Sequence, residues 1–317
     1  MKGANRMAAV AAIVAAGVFT IAQARSGNAM SSGLIGGSRA VAHGAERVVM
    51  AIGHAVAGLF QGEEAGSARV SVEVGARKRG TRQVGDFTWR GAVSAGEFIE
   101  IRGVNGDVIA ERATGPDVEV RAEKVARRSD PDDVRIEVVE HSGGVTLCAV
   151  YPSSRGRENS CEPGSGGRNN VRNNDVRVTF YVKVPAGVEF RGRTVNGDVE
   201  VRDLASDVNA HTVNGDIEIA TTGFAEANTV NGSIEAVMGS FDVERGLSFT
   251  TVNGSISLDL PDDIDADVDA RWVNGSLEAD LPLKLVGRLS KHSARGVLGE
   301  GGPELNLKTV NGSIRIH

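Results

Sequence analysis

The sequence predicts an all-β fold: a repetitive β-solenoid, single-stranded and β-helix-like, with a short N-terminal helix and a disulfide-closed loop insertion. Three observations predict it. Val-Asn-Gly followed by Asp or Ser occurs seven times, with corners at Asn105-Gly106, Asn196-Gly197, Asn214-Gly215, Asn231-Gly232, Asn253-Gly254, Asn274-Gly275 and Asn311-Gly312. From the second copy onward the Asn-to-Asn steps are 18, 17, 22, 21 and 37 residues, and a period near 20 is the mark of stacked β architectures. The flanking residues alternate apolar with polar, as in Val195-Asn196-Gly197-Asp198-Val199-Glu200-Val201. Each repeat thus carries one apolar stripe that is buried only when like repeats stack.

The elements follow in order. Residues 1–24 have a basic start, an apolar run from Met7 to Ala22 and a small-x-small end at Ala22-Gln23-Ala24. That pattern reads as a secretory signal peptide; the competing reading is an uncleaved anchor. Residues 25–66 form a flexible lead. Within it Val41, Ala45, Val48, Ile52, Val56 and Leu59 share one face of an amphipathic helix at about 41–60. The β-strand-repeat domain then runs over 67–317. Strands are expected at Arg69–Val74, Gly96–Ile101, Asp117–Ala122, Val134–Val139 and Asp175–Val182, where apolar and polar residues alternate. A loop insertion spans about 148–174. From Phe190 onward the chain is nearly all repeat, and the 37-residue step predicts one degenerate copy hidden inside it.

Asn-Gly between alternating strands is also a strong hairpin signal, so a meander competes with the solenoid. A meander needs a second turn of equal quality between copies. The intervals hold variable text instead, such as Asp203–Ser206 and Thr221–Phe224, and one fixed corner among variable ones favours the solenoid. Asn and Gly would supply positive φ at that corner. Stacking would set Asn196, Asn214, Asn231, Asn253 and Asn274 above one another as an amide ladder.

Composition narrows the function. The chain carries 35 basic and 41 acidic residues. Without residues 1–24 the balance is 33 against 41, or −8, which argues against nucleic acid and anionic membrane as partners. Cys148 and Cys161 are the only cysteines, and in an exported chain such a pair predicts a disulfide.

The Thr-Val-Asn-Gly-Asp/Ser repeats, with Leu298–Leu305 leading into the final copy, resemble a family of bacterial envelope proteins known as candidate adhesins, whose function is unassigned. The resemblance covers roughly Phe87 to His317. It implies a β-repeat scaffold and an adhesive role, and supplies no functional residue.

Chemistry is sparsely written. Gly164–Gly167 lacks the strand-turn-helix setting of a nucleophile elbow, and the text after Gly103–Gly106 is strand-like, unlike a phosphate loop. None of the six histidines pairs at metal-ligand spacing. Asp198 and Asp216 would sit one rung apart, either around a cation or as turn acceptors, and Pro261–Asp269 is a denser acidic stretch. Trp272 replaces Thr before a corner and is either an exposed platform or a cap over the next rung.

The expectation is an exported, non-catalytic scaffold in the periplasm, the cell envelope or outside the cell. It would use no cofactor and no metal, and would bind an envelope or extracellular protein or a polysaccharide. Self-association through an uncapped C-terminal rung is a further expectation. An envelope-stress or signalling accessory that binds a membrane partner, and a polysaccharide-active solenoid enzyme, are the alternatives.

Overall fold

The structure is a computed structural model and describes residues 83–153, 157–164, 166–239, 245–286 and 290–317. The leader, the helix expected at 41–60 and the strand expected at 69–74 lie outside the described residues.

In chain order the strands begin with β1 (Gln83–Ala92), β2 (Phe98–Arg102), β3 (Val108–Arg112), β4 (Asp117–Ala126), β5 (Arg135–His141), β6 (Gly144–Val150) and β7 (Arg177–Val184). The repeats then give β8 (Glu189–Arg193), β9 (Val199–Leu204), β10 (Val208–His211), β11 (Ile217–Thr221), β12 (Ala225–Asn228), β13 (Ile234–Met238), β14 (Leu247–Thr250) and β15 (Ile256–Asp259). Last come β16 (Ala266–Arg271), β17 (Leu277–Ala279), β18 (Lys284–Leu285), β19 (Ser293–Leu298), β20 (Glu304–Lys308) and β21 (Ile314–Ile316). No α-helix occurs among the described residues; a 3-10 turn at Pro131–Asp133 is capped by the Asp130 side chain.

Two sheets hold these strands. Sheet A runs β1-β4-β7-β3-β9-β11-β13-β15-β21-β17, and sheet B runs β18-β19-β16-β20-β14-β12-β10-β8-β2-β6-β5. Every Asn-Gly corner carries the chain from a strand of sheet B into a strand of sheet A. Like strands of neighbouring rungs then pair in parallel, as Ile217 with Ile234 and Val208 with Ala225. The chain is therefore a solenoid: in a meander the two strands beside each corner would pair with each other, antiparallel.

The apolar stripe explains the register. Val199, Ile217, Ile234, Ile256 and Ile314 form one fully buried row of sheet A, and Phe190, Val208, Ala225, Leu247 and Leu305 one of sheet B. Both rows belong to a single hydrophobic cluster. Full burial of such a side chain contributes about 1.5–3 kcal/mol, so a one-residue slip, which would turn the row outward, is strongly disfavoured.

Spatial order departs from chain order at both ends. β2–β3 lies between the rung β6–β7 and the rung β8–β9. β20–β21 lies between β14–β15 and β16–β17. The final Val-Asn-Gly rung is therefore interior. The expectation of an uncapped C-terminal rung is corrected: the outermost rung is β16–β17. The 37-residue interval holds no hidden copy of the corner among its described residues. It contains β18 and β19, which extend sheet B antiparallel to β16. At the opposite end antiparallel strands cap both sheets, β4 and β1 on sheet A and β5 on sheet B.

Candidate functional site

The repeat corners form one continuous edge. Every corner Asn except Asn105 donates its side-chain amide to the Asn side-chain carbonyl oxygen of the adjacent rung. The chain of bonds runs Asn196 to Asn105, Asn214 to Asn196, Asn231 to Asn214, Asn253 to Asn231, Asn311 to Asn253 and Asn274 to Asn311, at 2.7–2.9 Å. The expected ladder thus includes Asn105 at one end, and Asn311 separates Asn253 from Asn274.

The glycines are required for a reason beyond the expected one. None of the corner asparagines has positive φ, and among the corner glycines only Gly106, Gly275 and Gly312 do. What every corner shares is close approach. A Cβ on Gly197, Gly215, Gly232, Gly254, Gly312 or Gly275 would stand 1.9–2.2 Å from the carbonyl oxygen of the neighbouring rung's glycine, and one on Gly106 would stand 2.3 Å from the Val178 carbonyl. The parallel spacing of about 4.8 Å leaves no room for a side chain there.

Two further positions are consumed by stacking. The hydroxyls of Thr194, Thr212, Thr229, Thr251 and Thr309 donate to Gly106, Gly197, Gly215, Gly232 and Gly254 carbonyls at 2.8–3.0 Å. Asp107, Asp198 and Asp216 accept the backbone N–H of the next rung's Asp or Ser at 2.7–3.1 Å. Asp198 and Asp216 are therefore inter-rung turn acceptors. Trp272 occupies the Thr position of the outermost rung and is buried, a cap and not a platform.

The acidic stretch is similarly engaged. Asp265 accepts from Glu300 N–H, and Asp269 pairs with Arg271 and Arg295. Among the described residues no three His, Cys, Asp or Glu side chains converge to hold a metal. His211 lies on the outer face of sheet B, where burial and then Arg193 push its pKa down.

The loop between β6 and β7 does the work of a corner in a different way. Cys148 in β6 is bonded to Cys161, which pins the loop over the outer face of sheet B. Beneath it the Arg102 guanidinium donates to the Glu162 and Gly166 carbonyls at 2.5 and 2.7 Å. Glu100, 1% exposed, accepts from Thr146 and from Gly164 N–H. Its other oxygen faces Arg193 Nε at 3.4 Å, an ion pair without hydrogen-bond geometry. Asn159 spans the loop to the Tyr151 and Asn170 carbonyls. Sequence reasoning missed this cluster because Glu100 and Arg102 find their partners 46 or more residues away. Where the loop meets the ladder, Asn105, Asp107, Asp175, Arg177, Asn196 and Asp198 help line an open cleft of about 500 Å³. Hydrogen bonds from Ser129, then from Arg128, hold the Asp175 carboxyl down to about 2.

The outer faces differ. On sheet A, Glu200, Glu218 and Glu235 stack in register beside Asp198 and Asp216. Burial, then Glu200 and Glu235, raise the Glu218 pKa. On sheet B, Asn209, Glu226, Ser248 and Asn306 form one row, and Asn228, Thr250 and Lys308 the next, all partly exposed. Asn209 and Asn228 both donate to Glu226, which fixes the face locally. Such a surface offers aligned donors and acceptors on a rigid frame, the arrangement for polar recognition.

Comparison with known proteins places the chain. No curated protein matches it. A candidate cell adhesion protein from Clostridium sporogenes is 10% identical, the alignment covering 74% of this chain and 99% of that one, with a TM-score of 0.44. A candidate adhesin from Bacteroides fragilis is 13% identical over 73% of this chain and 97% of its own, with a TM-score of 0.26. A candidate lipid binding protein from Parabacteroides distasonis is 11% identical over 75% and 98%, with a TM-score of 0.24. The family description Toastrack DUF4097 matches residues 99–317, from the first rung through the last. With more than half of its length matched, the chain belongs to the Toastrack DUF4097 family.

Proposed function

We propose that this protein is an exported, non-catalytic β-repeat scaffold that binds an envelope or extracellular partner, protein or polysaccharide, through the outer face of sheet B. The observation that carries this reading is the in-register polar field of Asn209, Asn228, Ser248, Thr250 and Asn306. Neighbouring strands repeat it at about 4.8 Å, and the buried rows beneath hold it rigid. The corner edge is less suited to a partner, since its Asn, Thr and Asp groups are bonded between rungs along its length, whereas on sheet B Asn209 and Asn228 are engaged with Glu226 alone and the side chains of Ser248, Thr250 and Asn306 have no such bond among the described residues. The Cys148–Cys161 bond fits an oxidising compartment.

The test compares the full chain with the face variant Asn209→Ala/Asn228→Ala for retention of envelope protein and polysaccharide. Retention lost in the variant, with unchanged thermal unfolding, supports the reading. Equal retention by both chains overturns the choice of face. Shortening of the polysaccharide by the folded chain overturns the non-catalytic reading in favour of the enzyme.

A further inference from the structure

The ladder protects its own asparagines, and its outermost member is unprotected. Asn-Gly is the dipeptide most prone to deamidation, because glycine offers no Cβ to hinder its amide nitrogen from reaching the Asn side chain. The chain carries seven copies. In six of them that nitrogen is held: the N–H of Gly106, Gly197, Gly215, Gly232, Gly254 and Gly312 donates to the backbone carbonyl of Asn196, Asn214, Asn231, Asn253, Asn311 and Asn274 at 2.9–3.0 Å. In the same six the Asn side-chain oxygen accepts from the next amide of the ladder. Cyclisation at any of them must first break both bonds.

Asn274-Gly275 is different on each count. Each kind of bond keeps one direction along the stack, and among the described residues no rung follows β16–β17. Among the described residues the Gly275 N–H finds no acceptor and the Asn274 side-chain oxygen finds no donor. Gly275 is exposed, while the other corner glycines are partly or fully buried. Among the described residues the Asn274 side chain is held only by the single bond its amide donates to Asn311.

We infer that Asn274 is a site of spontaneous deamidation in the folded protein, and that the other six Asn-Gly pairs are shielded by the stack. The Gly275 nitrogen loses its proton to solvent base and bonds to the Asn274 side-chain carbonyl carbon. The bond from that carbon to the amide nitrogen breaks and ammonia leaves, giving a cyclic imide. Water then opens the imide at either carbonyl, leaving aspartate or isoaspartate. Aspartate puts a carboxylate opposite the Asn311 side-chain oxygen, isoaspartate reroutes the main chain through the former side chain, and either product removes the donor that closed the ladder.

The experiment is peptide mapping by mass spectrometry of the full chain, aged at mildly alkaline pH, folded and in denaturant. Trypsin isolates this site in the peptide Trp272–Lys284, and Asn311 in Thr309–Arg315. In the folded chain the Asn274 peptide should convert roughly tenfold or more faster than any other corner, the factor that loss of about one hydrogen bond imposes on local opening. In denaturant the Asn-Gly sites should converge in rate. Similar rates at Asn274 and Asn311 in the folded chain would overturn the inference, as would an Asn274 peptide that converts only in denaturant. The inference does not rest on the proposed binding face, and neither result bears on retention of a partner.

Discussion

The two ends of this solenoid meet the same problem in opposite ways. At the β6–β7 end the corner is a loop of some two dozen residues, pinned by Cys148–Cys161 and gripped by Arg102 from below. Antiparallel strands then cover both sheets. At the β16–β17 end the corner is a bare Val273-Asn274-Gly275-Ser276, and sheet A stops at a three-residue strand, β17. Val273, Leu285 and Val286 stand about half exposed there. An interior corner is stabilised by its two neighbours. A corner with one neighbour needs either another device or tolerance of exposure, and this protein shows both.

Three experiments would break or sharpen that contrast. The largest effect belongs to the interior. Gly232→Ala sets a methyl against the Gly215 carbonyl, between two fixed rungs, and should cost about 3 kcal/mol of unfolding free energy. Gly275→Ala meets the Gly312 carbonyl at the same 1.9 Å and adds the strain of a positive φ, but its rung has room to move outward, so its cost should stay below that of Gly232→Ala, at about 1–2 kcal/mol. Equal costs in denaturant unfolding would show that the outer rung is as firmly held as the interior.

Next in size is the covalent staple. Replacing Cys148 and Cys161 by Ala opens a loop with a sequence separation of 13 and should cost roughly 3 kcal/mol or somewhat less, as loop closure in the unfolded chain is released. Hydrogen exchange should report the loss first at Glu100, Arg102 and Thr146, with the Asn231 and Asn253 corners unchanged. Uniform loss along the stack would mean that the ends and the middle unfold as one unit.

The smallest effect tests the acidic row of sheet A. Glu218 has its folded pKa raised, so the folded state resists its ionisation, and stability is gained as pH falls through the folded value. Glu218→Gln should therefore raise the melting temperature at neutral pH. The gain should shrink in high salt and vanish below the ordinary carboxylate range. A gain that persists at acid pH would point to packing instead of charge.

The strands and corners were legible in the sequence because their causes are local. Alternation at Val199-Glu200-Val201 and the recurring Thr-Val-Asn-Gly announce a buried stripe and a fixed corner. The order of the rungs was not legible: seven nearly identical corners stack on one another equally well, so nothing in Asn311 says that it belongs between Asn253 and Asn274. The role of glycine was legible only in part, for a related reason. Positive φ is a property of one residue, whereas the 1.9 Å approach to the next rung exists only after stacking. The Glu100–Arg102–Arg193 cluster draws on strands and a loop far apart in sequence, and no local pattern marks it.

The insertion of β20–β21 between older rungs has a consequence for how the molecule is made. During synthesis the stack can grow rung by rung through β15, as solenoids do. There it must pause. The segment from β16 to β19 comes next in the chain, yet the strands it will rest on, β20 and β21, follow it. It stays without its final neighbour until β20 and β21 are free to pair, and then closes over the newcomer like a lid over the last item packed. A truncation just before residue 304 would thus remove a middle storey and leave the roof with nothing beneath it.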